Sequence, residues 1–182
     1  MKNSTVKNLV LCAFFIALGL VLPFITAQIQ VIGQMLLPMH IPAFLCGLIC
    51  GPWYGLICGL VTPILRSSIF TMPPMFPTAI AMSCELAVYG FVSGLIFSTI
   101  RNRSIASIYE ALIPAMIAGR IVSGLVNWAL LGSAYSWKAF VAANFTSGIP
   151  GIIVQLVLIP LVVGALYKTG SLVMPDTGKQ TS

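Results

Sequence analysis

Glu85 and Arg120 are the two residues of this chain that most need a physical reason. Each is an ionisable side chain inside an apolar stretch long enough to cross a bilayer. A charge at the centre of such a span costs about 2.5–3.5 kcal/mol on insertion scales. The two can pair across neighbouring helices. Such a pair either locks a helix bundle or forms the polar base of a cavity for a small ligand. A purely structural pair can often be replaced by apolar packing at little loss. The residues that follow Arg120 add weight to the ligand reading. Arg120, Ser123 and Asn127 stand at i, i+3 and i+7, which puts them on one polar stripe of a helix. Asn144, Thr146, Ser147 and the deeper Gln155 add amides and hydroxyls to the last apolar stretch. For any one of these, interhelical hydrogen bonding serves equally well. His40, the only histidine, lies between Pro38 and Pro42 and suits either a structural hydrogen bond or a ligand contact. Phe76, Tyr135 and Trp137 can stack on a planar ligand, although an interfacial aromatic belt is the commoner place for such residues.

Catalytic chemistry finds less support. There is no His-Glu-x-x-His, no Walker glycine loop and no EF-hand pattern. Glu110 is expected near the inner end of its span, far from Glu85, so paired carboxylates are not expected. A general base would rest on Glu85 or His40 alone. A small intramembrane enzyme built on either is the competing class, and a pore or assembly protein is a third. Cys46 and Cys50 stand at i, i+4, but no histidine or acid accompanies them at ligand spacing. No catalytic residue, metal site or cofactor is therefore expected. Cys12, Cys46, Cys50, Cys58 and Cys84 all fall in apolar runs and read as reduced, buried thiols.

The elements that must position these residues follow from composition. Hydrophobic residues make up 59% of 182 positions and charged residues 7%, against about 25% charged in a soluble domain. The apolar residues come in long runs, which call for lipid. At about 20 residues per crossing there is room for about six spans, and none for a soluble ATPase domain. The net charge of +6 is scattered at the ends of the apolar runs, which suits membrane orientation and not nucleic-acid binding. The expected fold is a single all-α membrane domain over residues 1–182. Its spans run from about Thr5 to Ala27, Leu36 to Cys50, Tyr54 to Phe70, Thr78 to Ile100, Ala106 to Leu131 and Asn144 to Lys168, with a polar tail over 169–182. The run Leu9–Ile25 is long for a signal sequence and reads as a retained first helix. The second and third spans are short. Gly51-Pro52-Trp53 marks a turn, and the proline-rich stretch Thr71–Pro77 cannot be regular helix throughout. Gly148, Pro150 and Gly151 are expected to interrupt the sixth span.

Six spans put both termini on one side. Lys2, Lys7, Arg101, Arg103, Lys168 and Lys179 then share a side, and Arg66 and Lys138 lie on or near the other. The positive-inside rule makes the first side cytoplasmic. Gly47 with Gly51, Gly55 with Gly59, and Gly90 with Gly94 form small-xxx-small pairs, which let helix backbones approach closely in lipid. The string Gly-Leu-Ile-Cys-Gly occurs at 47–51 and again at 55–59 and reads as two tightly packed short helices.

Two segments carry a resemblance. Leu9-Val10-Leu11-Cys12-Ala13-Phe14-Phe15-Ile16-Ala17 holds an Ala13-x-x-x-Ala17 pair. Met39-His40-Ile41-Pro42 is followed by the glycine-rich stretch Cys46–Gly55. Together they resemble the substrate-binding S component of energy-coupling factor (ECF) transporters over nearly the whole chain. The resemblance implies a subunit of the cell membrane that binds a vitamin or related micronutrient from outside. It also implies a separate transmembrane coupling subunit and two ATPases as partners. Ala13 and Ala17 would dock on the coupling subunit. The family does not share one set of ligand residues. Glu85, Arg120, Asn127, Gln155, His40, Asn144, Phe76 and Trp137 therefore stand as binding candidates on their chemistry alone. An acid, a base, amides and aromatics suit pyridoxine or a hydroxymethylpyrimidine. Arg120 would instead suit the carboxylate of pantothenate, and cobalamin remains open.

Overall fold

The computed structural model describes residues 2–25, 37–100, 104–132, 136, 138 and 148–168. Six α-helices run through them: α1 (Lys2–Ile25), α2 (His40–Cys50), α3 (Pro52–Phe70), α4 (Ile80–Thr99), α5 (Ile105–Leu131) and α6 (Ile149–Lys168). No strand occurs among the described residues. Five of the helical segments are long and apolar enough to cross a membrane: Thr5–Phe24, Pro52–Phe70, Met75–Thr99, Ile105–Leu131 and Ile149–Lys168.

The second helix is different. Its eleven residues span about 16 Å at 1.5 Å per residue, roughly half of a bilayer core. Every residue of α2 except Ile49 is buried. A helix apolar on all sides and enclosed by protein does not need to match the bilayer thickness. Where six crossings were expected, the described residues hold five helices long enough to cross and one of half length packed among them.

The links between helices follow local rules. Gly51 joins α2 to α3 at φ +101°, a backbone that a side chain would strain. Pro52 opens α3 in its first turn, where a missing N–H is harmless. Thr71 ends α3 in the left-handed region. The stretch after it leaves helical geometry, and Phe76 is extended at φ −115°, ψ 134° within the wide turn Met75–Ala79 that leads into α4. Ser104 caps α5: its Oγ accepts from the Ser107 N–H, and the Ser107 Oγ accepts from the Ser104 N–H. The expected break in the last span is instead its start. Gly148 precedes α6 and accepts from the Ile152 N–H at 2.9 Å, and Pro150 lies in the first turn.

Helix α4 is the centre of the bundle and packs on α2, α3 and α5. Glycine makes this possible. A Cβ on Gly47 would strike the Gly90 carbonyl, one on Gly55 would meet Gly90 and Gly47, and one on Gly59 would meet the Leu86 carbonyl. These small residues bring three helix backbones together where lipid offers no hydrophobic drive for association. Gly94 abuts Gly47 and Pro52, whereas Gly51 meets nothing within 4 Å. Helix α1 lies against α2 and α3, and α6 against α2 and α5. On α5 the residues Ile113, Ile117, Ile121, Leu125 and Trp128 are exposed along one face, as a lipid-facing stripe requires.

Arg66 is buried near the end of α3. Its Nη1 donates to the Leu20 carbonyl of α1, and its guanidinium lies 5.0 Å from the Phe24 ring and 5.2 Å from the Phe70 ring. The cation thus pins α1 to α3 through a carbonyl and two aromatic faces.

Candidate functional site

Four side chains from three helices meet around one carboxylate oxygen. Glu85 lies about 8 Å along α4 from its start, and Arg120 about 16 Å along α5 from its end, by helix rise. Arg120 Nη1 is 3.1 Å from Glu85 Oε1. Tyr89, one turn after Glu85 on the same face, donates its hydroxyl to that oxygen at 2.7 Å. His40 opens α2, and its Nε2 lies 3.8 Å from the same oxygen, beyond hydrogen-bond reach. All four residues are buried.

Local packing fixes this node. The Tyr89 ring stacks on Phe44 of α2, with centroids 4.7 Å apart and planes 18° from parallel. His40 tilts over Tyr89 at 5.5 Å. On the other side a Cβ at Gly119 would enter the Tyr89 ring, so the residue before Arg120 must be glycine for α5 to approach. The glycine contacts among α2, α3 and α4 set the register that brings His40 to Glu85.

The node has polar atoms to spare. Nδ1 and Nε2 of His40, Nε of Arg120 and Nε2 of Gln155 are buried without a hydrogen-bond partner among the described residues. A buried polar group left unpaired costs about 1–3 kcal/mol. Gln155 is 1% exposed and sits on α6, the helix that packs against those carrying His40 and Arg120.

The other candidates fall elsewhere. Asn127 is half-buried, and its Nδ2 donates to the Ser123 carbonyl at 2.8 Å, one turn back on its own helix. Ser123 is buried. Phe76 is 58% exposed in the turn before α4. Trp137 and Asn144 lie outside the described residues, as do Tyr135, Thr146 and Ser147. Glu110 is exposed on α5. Ala13 and Ala17 lie on an exposed face of α1, while Cys12, Phe15 and Gly19 face the bundle. Tyr89 is the node residue that sequence reasoning missed. Its signal was the i, i+4 spacing from Glu85, which places both on one face.

The family described as "ECF transporter, substrate-specific component" matches residues 7–163. The chain belongs to this family. It is a membrane-embedded, substrate-binding subunit of an ECF-type importer, a class that binds small-molecule substrates and works with a coupling subunit and ATPases. This is a transporter component and not an enzyme family. No curated protein and no solved structure matches the chain.

Proposed function

We propose that this subunit sits in the cell membrane with both termini in the cytoplasm. There it captures a vitamin-sized micronutrient from outside at the Glu85–Arg120–His40 node. The observation that carries the proposal is this node: a paired acid and base with unpartnered buried nitrogens, in a largely apolar bundle. Gln155 and Asn127 flank it as further contacts, with Asn144, Phe76 and Trp137 as candidates toward the outer loops. A small polar aromatic such as pyridoxine or a hydroxymethylpyrimidine suits this mixture best. Pantothenate and cobalamin are the alternatives. Counting α2 as a crossing keeps the number of crossings even, and the cation distribution then puts the termini inside. Ala13 and Ala17 offer small side chains on the exposed face of α1, which suits close docking of a coupling subunit.

The proposal is tested by purifying the tagged chain from its native host. Two ATPase subunits and a transmembrane coupling subunit are expected to co-purify, and mass spectrometry of the released small molecules identifies the cargo. Turnover of a substrate by the isolated chain would refute the transport assignment. Ion conductance by the chain alone would point to a pore.

A further inference from the structure

The unpartnered atoms of the node specify the ligand that would complete it. A neutral imidazole donates from one nitrogen and accepts at the other, whereas Arg Nε and the amide nitrogen of Gln only donate. His40 and Arg120 thus present two donors and one acceptor through three unpartnered nitrogens, and Gln155 Nε2 on the neighbouring α6 is a further unpartnered donor. Charge, by contrast, is already matched. Glu85 and Arg120 face each other at 3.1 Å, and the Tyr89 hydroxyl donates to the same carboxylate oxygen. The other buried cation among the described residues, Arg66, is held by Leu20, Phe24 and Phe70.

A ligand carboxylate would reach the free Nε edge of Arg120 while Glu85 holds Nη1. Two anions would then share one guanidinium in a dry site, which low dielectric penalises heavily. It would also bring no donor for the accepting nitrogen of His40. A cationic ligand would leave two cations to share the single Glu85 carboxylate. A neutral ligand with two or three acceptors and one donor meets neither obstacle.

Resting on the proposal that this node binds the substrate, we infer that its ligand is net neutral and richer in acceptors than donors. A heteroaromatic ring with a ring nitrogen, a carbonyl and one N–H or O–H has that pattern. Glu85 and Arg120 stay paired when it is bound.

The test uses matched probes on the purified full chain in detergent: nicotinamide against nicotinate, and pyridoxine against 4-pyridoxate. Within each pair one member carries a carboxylate that the other lacks. At least one neutral probe is expected to bind about tenfold or more tightly than its carboxylate twin, as follows from one mismatched buried group. In Glu85→Gln the guanidinium loses its anion, and the preference within that pair is expected to invert. A carboxylate twin that binds the wild type as tightly as its neutral partner overturns the inference, and so does failure of both neutral probes to bind. If Glu85→Gln does not fold, the wild-type ratio decides. The transport assignment fails separately, through absence of the ATPase partners.

Discussion

Tyr89 shows how one residue serves structure and site together. Its ring fills the space between Phe44 and Gly119, and its hydroxyl supplies Glu85 with a hydrogen bond. Tyr89→Phe keeps the ring and removes the bond, so unfolding stability in detergent is expected to fall by about 1.5–3 kcal/mol, the range for bonds to charged groups. Tyr89→Ala also empties a packed volume and is expected to lose about 3–5 kcal/mol. No loss in Tyr89→Phe would place the tyrosine's role in packing alone, and equal losses in the two variants would place it in the hydroxyl alone. Arg120→Ala is expected to abolish ligand binding, measured by isothermal titration with the co-purifying molecule. Retained affinity with lowered stability would instead make the ion pair a structural lock. Glu85 and Arg120 were legible in the sequence because a charge in an apolar run is costly and therefore conspicuous. Tyr89 was not, because tyrosine is ordinary in a membrane helix.

At the scale of helices, close approach of α2, α3 and α4 depends on glycine. Gly90 faces the Gly55 backbone with no room for a Cβ, whereas Gly164 on α6 has nothing within 4 Å. Gly90→Ala is therefore expected to lose about 1–3 kcal/mol or more by overpacking. Gly164→Ala is expected to be neutral or to gain up to about 1 kcal/mol from helix propensity. Thermal unfolding of both variants in one detergent checks this. Similar melting temperatures would mean that the crossing can yield. The repeated Gly-Leu-Ile-Cys-Gly strings pointed to tight helix packing, and the glycines at 47, 55 and 59 do lie at backbone contacts. Gly51 does not, and acts instead through its positive φ. The pattern of small residues announced close contacts without naming the partner, since α4 supplies Gly90 from a distant part of the chain.

For the whole molecule, the bundle has a buried centre in α4 and a sparsely covered outer helix in α1. Half of the residues of α4 are buried, whereas α1 exposes Val6, Leu9, Val10, Phe14 and Val21, which leaves α1 free to face lipid or another protein. Ala13→Trp is expected to abolish ATP-driven uptake in cells while leaving ligand affinity of the isolated subunit unchanged, because it enlarges an exposed face of α1, which packs on α2 and α3 through its other side. Uptake at the wild-type rate would remove the docking role from this face.

Composition and residue order are enough to assign the class of the protein. Its apolar runs, scarce charge and proline and glycine punctuation dictate a helical membrane protein, since a backbone in lipid must bond to itself. The boundaries of α3, α4 and α5 follow from those signals to within about two residues, in keeping with the usual uncertainty of helix ends. Which distant residues meet emerges only from the packing of the helices. His40 joins Glu85 because α2 stops after eleven residues and packs on α4 through glycine. Asn127, read from its stripe as a ligand group, spends one amide N–H on the Ser123 carbonyl of its own helix. Helical periodicity states which face a residue occupies. The relative height and rotation of two helices are set by side-chain volumes at their crossing, and those belong to both helices at once.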